Sequence, residues 1–429
     1  MAVTVTQKPQ LIKQAYSDMV LTANSNQVVS KFKFKYVFDI FATTRSNPSV
    51  YNYLGRVRQT PNPSGVGMLD LSRYLQLQVS QDLYYGQMFD LGWQPDTLQT
   101  TLGSYYVMCG EEYSTSLSGA TTLYNGSGTV STGPTLTGTT STVLNMFNGV
   151  HQFDYGYTWN DTDYFKATNR WLLSYQPLTQ YREADEYICL AGFGGQGDGA
   201  KGNISRIGYT AKFYFTDGTN ATYTQDYGSY TGNTIEGYYM SGTLQTILDI
   251  NSQTKDWTKV ELSMSTEYEK RIIYKKVCPW QKYNPKDVIF LNRYGVWDTF
   301  RFYGSKDETT KITRGTYERA YGTWSAGTYD YQTYERGTSN ISTDLQVDGE
   351  VMSDFIDRDT VNWLEELLTS PQVYILDWDE ERGSSQSTKK LLPINITSSD
   401  FKKQIKGNVR LRQVSFKYKY STPTRTQQQ

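Results

Sequence analysis

A mainly β fold, built as two or three β-sandwich-like domains with a few short helices, is what this chain predicts. Three observations carry that reading. The composition is rich in β-compatible residues: 37 Tyr and 17 Phe raise the aromatic share to 15%, while charged residues make only 20%, below the ~25% of an average domain. The stretch "KFKFKYVFDI" (31–40) alternates large apolar and polar side chains with a period of two. Finally, the chain has 429 residues, and single cores stop growing near ~250–300 residues, so it must divide. The divisions expected are an N-terminal β domain over 1–113, a Ser/Thr/Gly-rich loop or insertion over 114–149, a middle β domain over 150–275 and a C-terminal β domain over 276–429.

Residues 1–28 are mixed, with "LTANSNQVVS" reading as a loop into the first clear strand. In that strand Phe32, Phe34, Tyr36, Phe38 and Ile40 share one face, and Lys31, Lys33, Lys35 and Asp39 share the other, on which the lysines would be solvated. "YNYLGRVRQT" is its partner. "PNPSGVG" (61–67) turns the chain. "MLDLSRYLQLQVSQDL" predicts a short helix started by Asp70 or Ser72 and ending near Val79. Residues 114–142 are low-complexity Ser, Thr and Gly and are expected to bury little, so that loss of 116–140 would leave the fold intact.

In the middle domain "EYICLAGF" is a strand, and "GYTAKFYF" and "ATYTQDY" pair through a hairpin centred on Asp217-Gly218. "WTKVELSMSTEYEKRIIYKKV" (257–277) makes one or two strands. In the last domain "PKDVIFLNRYGVWDTFRFYG" is a strand, a turn at Tyr294-Gly295 and a second strand. Residues 359–369 predict a helix, with Val361, Leu364 and Leu368 on its apolar face, Asp359 at its first turn and Pro371 beyond its end. "QVYIL" follows as a strand. "NVRLRQVSFKYKY" (408–420) slips phase between Gln413 and Val414, which implies a bulge or a bend.

Function is bounded first by what is scarce. Net charge is −1 and no long basic tract exists, which argues against general nucleic-acid binding. No run of 18 apolar residues would span a membrane, and "MAVTVTQKPQLIKQAY" lacks the apolar centre of a secretory signal. Cys109, Cys189 and Cys278 are odd in number and widely spaced, as expected of reduced, buried thiols in a protein made in a cytosol. The Asn-x-Ser/Thr matches, such as Asn160, Asn220 and Asn395, then read as turn and strand residues. His151 is the only histidine, so neither a His-based triad nor a Cys/His zinc site can be assembled easily. "GFGGQGDGAKGN" lacks the phosphate-loop pattern. Acidic clusters remain: "NDTD" (160–163) and "DWDEER" (377–382), with Asp379 and Glu380, offer paired carboxylates, and "NDTD" or "TDGTN" offer oxygen ligands for calcium. Runs of this kind are mostly solvated turns. No enzyme activity and no cofactor are expected.

The densest cluster of large side chains is "FLNRYGVWDTFRFYG" (290–304). Alternation after Gly295 places Trp297, Thr299, Arg301 and Tyr303 on one face and Val296, Asp298, Phe300 and Phe302 on the other. Asp298 is the polar member of an apolar face, and pairing with Arg293 across the turn would satisfy both. Arg293, Gly295, Trp297, Asp298 and Phe300 are therefore candidate organisers of a structural hairpin.

The pattern "VIFLNRYGVWDTFRF" (288–302) resembles a stretch in virion structural proteins of tailed bacteriophages, of the crAss-like and marine Bacteroidetes-phage type. "FKYVFDIF" with "PNPSGVGMLDLSRYLQ", "LLSYQPLTQYREADEYICL", and "WLEELLTSPQVYIL" with "PINITSSDFK" are similar to their opening, middle and end. The resemblance implies a ring-forming tail, baseplate or neck component without catalytic residues. Its partners would be copies of itself and other virion proteins, and it would be assembled in the host cytoplasm and located in the virion. The alternative is a tail-fibre or head-decoration protein that binds a receptor or a host surface glycan.

Overall fold

The computed structural model describes residues 3–10, 12–44, 47–79, 96–97, 102–138, 141, 143–149, 174, 176–195, 208–226, 235–263, 271–277, 285–305, 308–318, 320, 322–325, 327–334, 337–378, 389–398, 412–421 and 424–425. Among them the protein is mainly β, 56% strand against 9% helix, in several separate sheets of β-sandwich-like form. The chain forms two compact units, Met1–Cys278 with Leu291–Asp298, and Pro279–Phe290 with Thr299–Gln429.

The first unit opens with β1 (Thr4–Gln7), β2 (Ile12–Gln14), β3 (Val20–Asn24), β4 (Phe32–Thr44), β5 (Asn47–Gln59), β6 (Gly67–Asp70) and the short helix α1 (Ser72–Leu75). It continues with β7 (Asp96–Thr97), β8 (Leu102–Ser114), β9 (Thr122–Asn125) and β10 (Leu144–Phe147). Two sheets result, β1-β3-β6 and β2-β10-β8-β4-β5, with β9 added to β8. Leu21, Leu69, Leu71 and Leu75 of one layer share a core with Tyr36, Phe38, Ile40, Val107 and Met146 of the other. Tyr36 ties the layers by polar contacts as well: its hydroxyl donates to Gly65 O (2.7 Å) and accepts from Ser25 N (3.0 Å).

Strand β4 follows its alternation from Phe34 to Ile40, with Phe34, Tyr36, Phe38 and Ile40 buried. One expectation is corrected there. Phe32 does not share that face and stands 44% exposed. Lys33 takes the left-handed conformation (φ 54°) and the register with β8 shifts between Phe32 and Lys35, so a bulge turns the first side chain outward. On the second face Asp39 is 0% exposed together with Val37. Arg56 on β5 grips the Asp39 carboxylate with two nitrogens, each at 2.7 Å, and Leu136 N donates to it at 2.6 Å.

Leu136 belongs to the Ser/Thr/Gly segment that was expected to bury little. It is fully buried, and it lies so close to β8 that a side chain at Gly110 would meet its Cδ2 at 2.7 Å. Farther along, Ser141 exchanges hydrogen bonds with the Val107 backbone at 2.8 and 2.9 Å. The segment therefore caps the second face of the sheet. Composition misleads here because the hold comes largely from backbone groups and hydroxyls, with Leu136 and Tyr124, whose ring stacks on Tyr113 at 4.3 Å, as its few large side chains. "LTAN" is likewise strand β3 rather than loop, because β1 and β6 supply partners on both its edges.

The rest of the first unit comprises β11 (Thr179–Arg182), β12 (Tyr187–Gly195), β13 (Gly208–Phe215), β14 (Asn220–Asp226), β15 (Ile235–Thr243), α2 (Leu244–Ile250), β16 (Trp257–Ser263) and β17 (Ile272–Lys276). One sheet is ordered β11-β17-β16-β13-β14 and the other β12-β15-β7. Ile188, Leu190, Met240 and the α2 residues Leu244, Ile247 and Leu248 pack with Phe213, Trp257, Val260 and Tyr274. The hairpin at Asp217-Gly218 forms as read, and 257–277 holds two strands. Helix α2, which the sequence reading missed, is capped by Thr243 Oγ1 accepting from Thr246 N (3.1 Å).

The second unit holds most of one large sheet, β19-β18-β25-β26-β27-β24-β20. Its strands are β18 (Lys286–Leu291), β19 (Trp297–Phe302), β20 (Gly304–Ser305), β21 (Thr309–Glu318), β22 (Thr323–Ser325), β23 (Thr328–Asp330) and β24 (Thr338–Met352). Helix α3 (Arg358–Thr369) precedes β25 (Val373–Trp378), β26 (Lys389–Ile396), β27 (Ser415–Tyr420) and β28 (Thr424–Arg425). Asp357, not Asp359, caps α3, its carboxylate accepting from Thr360 N at 2.8 Å. The buried stripe is Val361, Trp363, Leu364, Glu366 and Leu367, so Leu368 stands only at its border. Trp363 sets that rotation, its ring lying 5.8 Å from Phe290 and 5.9 Å from Phe300. The phase slip near Gln413 is a break: Arg412 bridges to Ile356, and strand β27 starts only at Ser415. Residues 408–411 lie outside the described residues.

Cys109 and Cys189 are buried thiols, and burial pushes the Cys109 thiol up to about 12. Cys278 lies outside the described residues. No described helix is long and apolar enough to cross a membrane.

Asp39→Ala is expected to cost about 3–5 kcal/mol in urea unfolding, because Arg56 and Leu136 N lose their acceptor. Leu136→Ala is expected to cost about 2–5 kcal/mol, so deletion of 116–140 should yield unfolded protein. Phe34, which meets Tyr36 edge-on (5.0 Å) and stacks on Tyr113 (6.1 Å), should not tolerate Asp: soluble expression of Phe34→Asp is expected to fail.

Candidate functional site

The hairpin of 286–302 is built from its turn outward. Asn292 Oδ1 accepts from Tyr294 N (2.9 Å) and Val296 N (3.2 Å), and Asn292 O accepts from Gly295 N (2.9 Å). Gly295 has φ 70°, and a Cβ there would lie 1.3 Å from Asn148 O. Both conformation and space restrict this position to glycine. Tyr294 and Phe147 rings lie 6.3 Å apart beside it.

Every residue of β19 is buried, so the two faces read from alternation are both interior. Trp297 is among the largest fully buried side chains, and Phe300 meets Phe302 edge-on at 5.1 Å. Arg293 is half-buried at the turn. Arg301, which the sequence reading placed on a face without assigning it a partner, is held by Asp287 in a buried two-pronged pair at 2.7 and 2.9 Å.

Asp298 receives donors from a segment far away in the chain. Ser174 Oγ donates to Oδ2 (2.8 Å) and Gln176 Nε2 donates to Oδ1 (3.0 Å). The chain of contacts continues inward: Gln180 Nε2 donates to Gln176 Oε1 (3.2 Å), Arg182 Nε donates to Gln180 Oε1 (2.9 Å), and Arg182 Nη1 pairs with Glu186. All six side chains are buried. Beside them lies Tyr274, whose hydroxyl has no hydrogen-bond partner among the described residues and is pushed far up by burial. None of Ser174, Gln176, Gln180, Arg182, Glu186 or Asp287 was singled out from sequence. A signal existed: Gln180 and Arg182 occupy the inward positions of β11, polar residues where alternation calls for apolar ones.

The network matches donors to acceptors, and such matching fixes geometry. The carboxylate of Asp217, a candidate oxygen ligand, is instead held well below the usual range, first by the Lys255 ammonium (2.7 Å) and then by Thr219. Among the described residues no three His, Cys, Asp or Glu side chains converge to hold a metal ion. His151, "NDTD", Asp379 and Glu380 lie outside the described residues.

No protein-family model matches the chain, and no curated protein does. Among solved structures the chain is similar to Salmonella alpha-2-macroglobulin reacted with methylamine, at 9% identity and a TM-score of 0.20. The match covers 96% of this chain and spans 22% of the length of that protein.

Gly295→Ala is expected to abolish soluble folding. Asp298→Ala should lower unfolding stability by about 2–4 kcal/mol, leaving two buried donors without an acceptor, while Asp298→Asn keeps one acceptor and should cost less. Thermal and urea unfolding of the three variants measures both.

Proposed function

We propose that this chain is a non-enzymatic structural component of a tailed-phage virion, present in several copies as a ring in the tail, baseplate or neck. One observation carries the reading. The stretch most specific to the virion-protein resemblance, 288–302, is almost wholly interior, with Arg293 at the turn its only partly exposed residue. What the likeness shares is therefore a packing scaffold. Its polar members, Asp298 and Arg301, are engaged with Ser174, Gln176 and Asp287. The near-neutral charge and the tyrosine-rich composition suit repeated protein contacts. Partners would be copies of this chain and neighbouring virion proteins, assembled in the host cytoplasm.

A second reading, a receptor- or glycan-binding module, is favoured by exposed aromatic rings near β23: Tyr329 and Tyr331 stack 6.0 Å apart, and Tyr334 is 79% exposed. Such faces suit sugars.

Mass spectrometry of purified phage particles, with antibody labelling under the electron microscope, tests the first reading. Stoichiometric presence at one axial position is the expected result. Absence from particles overturns it. Binding of the purified chain to a glycan array supports the second reading.

A further inference from the structure

We propose that the outer face of the sheet β11-β17-β16-β13-β14 binds an acidic polysaccharide, whose carboxylate or sulfate groups meet its lysines. The inference goes beyond the virion reading and does not rest on it, since every residue it uses lies on this one face.

Register fixes which side chains share the face. Tyr181 is opposite Lys275, Lys275 is opposite Lys259, and Lys259 is opposite Tyr214, so the four form one row across four strands. The next row holds Thr179, Ile273, Glu261, Lys212 and Thr222. Between the rows Gln180, Tyr274, Val260 and Phe213 point the other way and are buried. Five strands at ~4.8 Å spacing make a platform about 19 Å wide. It is open to water: Tyr181 is 66% exposed, the Arg271 side chain 62%, and Lys275 is exposed between them.

Charge calls for an anion. Lys212, Lys259, Arg271 and Lys275 stand on this face, and among its described side chains Glu261 is the one acid, in a chain whose net charge is −1. Glu261 already takes three donors, Lys259 Nζ (2.8 Å), the Tyr214 hydroxyl (3.0 Å) and Arg271 Nη1 (3.3 Å). Among the described residues no carboxylate pairs with Lys212 or Lys275. Their ammonium groups lie over the rings of Tyr214 (5.1 Å) and Tyr181 (5.6 Å) instead. At the end of the sheet near the Asp217-Gly218 turn, by contrast, cations are matched one to one, Lys255 with Asp217 and Lys276 with Asp256. The unmatched positive charge thus gathers at the centre of the face, where an anionic ligand neutralises it.

The remaining side chains select a sugar chain among polyanions. Single-stranded nucleic acid needs open rings on which successive bases stack. Tyr214 is half-buried and has Lys259 Nζ over its ring at 4.0 Å, which leaves Tyr181 as the one ring well exposed. A protein interface places apolar side chains rather than lysines at its centre. Here the centre is Lys259, and the apolar member, Ile273, is half-buried. An acidic polysaccharide uses what is present: ammonium groups for its acids, the hydroxyls of Thr179 and Thr222 for its own hydroxyls, and the Tyr181 ring for the apolar face of a pyranose.

The test titrates the full chain by calorimetry, at low and high salt, with polygalacturonate, dextran sulfate, neutral dextran and polyacrylate, a carboxylate polymer without sugar rings. The expected result is salt-sensitive binding of polygalacturonate or dextran sulfate and none of dextran; the tighter of the two names the acid. Lys212→Glu with Lys275→Glu should weaken that binding roughly tenfold. Lys311→Glu with Arg314→Glu, which changes the net charge equally on exposed strand β21, should leave it unchanged. Tyr181→Ala should weaken binding of the polysaccharide and not of polyacrylate. Should the Lys212 and Lys275 double variant fail to fold by circular dichroism, Lys275→Gln and Tyr181→Ala decide. The proposal is overturned if neither acidic polysaccharide binds, if the face variants bind as the natural chain does, or if the β21 variant loses as much as they do. Oligothymidine bound as tightly as the polysaccharide, or an equal effect of Tyr181→Ala on polyacrylate, overturns the sugar assignment. None of these outcomes touches the virion reading, which particle composition decides.

Discussion

A carboxylate placed where water cannot reach must be met by donors, and Asp298 imposes that demand on the first unit. It is 1% exposed, and its oxygens are taken by Ser174 and Gln176, more than a hundred residues earlier in the chain. Gln176 is in turn held by Gln180, Gln180 by Arg182, and Arg182 by Glu186. The segment entering β11 and β12 is thus set by the hairpin tip, whose own position depends on Gly295 lying against Asn148. In a low-dielectric interior each of these contacts is strong if made and costly if missed, so the arrangement admits one register.

The same solution recurs. Asp39 is gripped by Arg56 and capped by Leu136 N, and Asp287 is gripped by Arg301. Each acid interrupts a strand of large apolar residues. Buried ion pairs add little net stability compared with apolar residues of equal volume. We read them here as fixing which strands adjoin, while the aromatic rings supply the buried area. Phe290, Phe300, Phe302, Phe416 and Trp363 form such a ring cluster in the second unit.

Against these interiors the β21–β24 arm stands apart. Ion pairing there is at the surface, as with Lys311 and Asp348, and contributes little to the fold. Its threonines and charges face solvent rather than a core. The protein thus combines sandwich-like cores that hold buried polar pairs with a solvent-exposed two-stranded ribbon.

Much of the fold was legible from local pattern. The alternation of Phe34 to Ile40, the Asp217-Gly218 turn, the turn at Tyr294-Gly295 and the apolar stripe of α3 depend on neighbours within a few residues, and those are what periodicity and turn chemistry report. The candidate hairpin residues were legible for the same reason: an Asp in an apolar run announces a buried polar contact. Partners were not legible. Asp298 meets donors 122 and 124 residues away, and Asp39 meets Leu136 across 97 residues. Nor could composition reveal that the Ser/Thr/Gly segment covers a sheet, since much of its hold lies in backbone groups that every residue carries. Sequence by itself determined the strands, turns and the need for buried polar partners. Tertiary structure decided which groups meet that need and which faces are closed, because both depend on distances that only the packed chain defines.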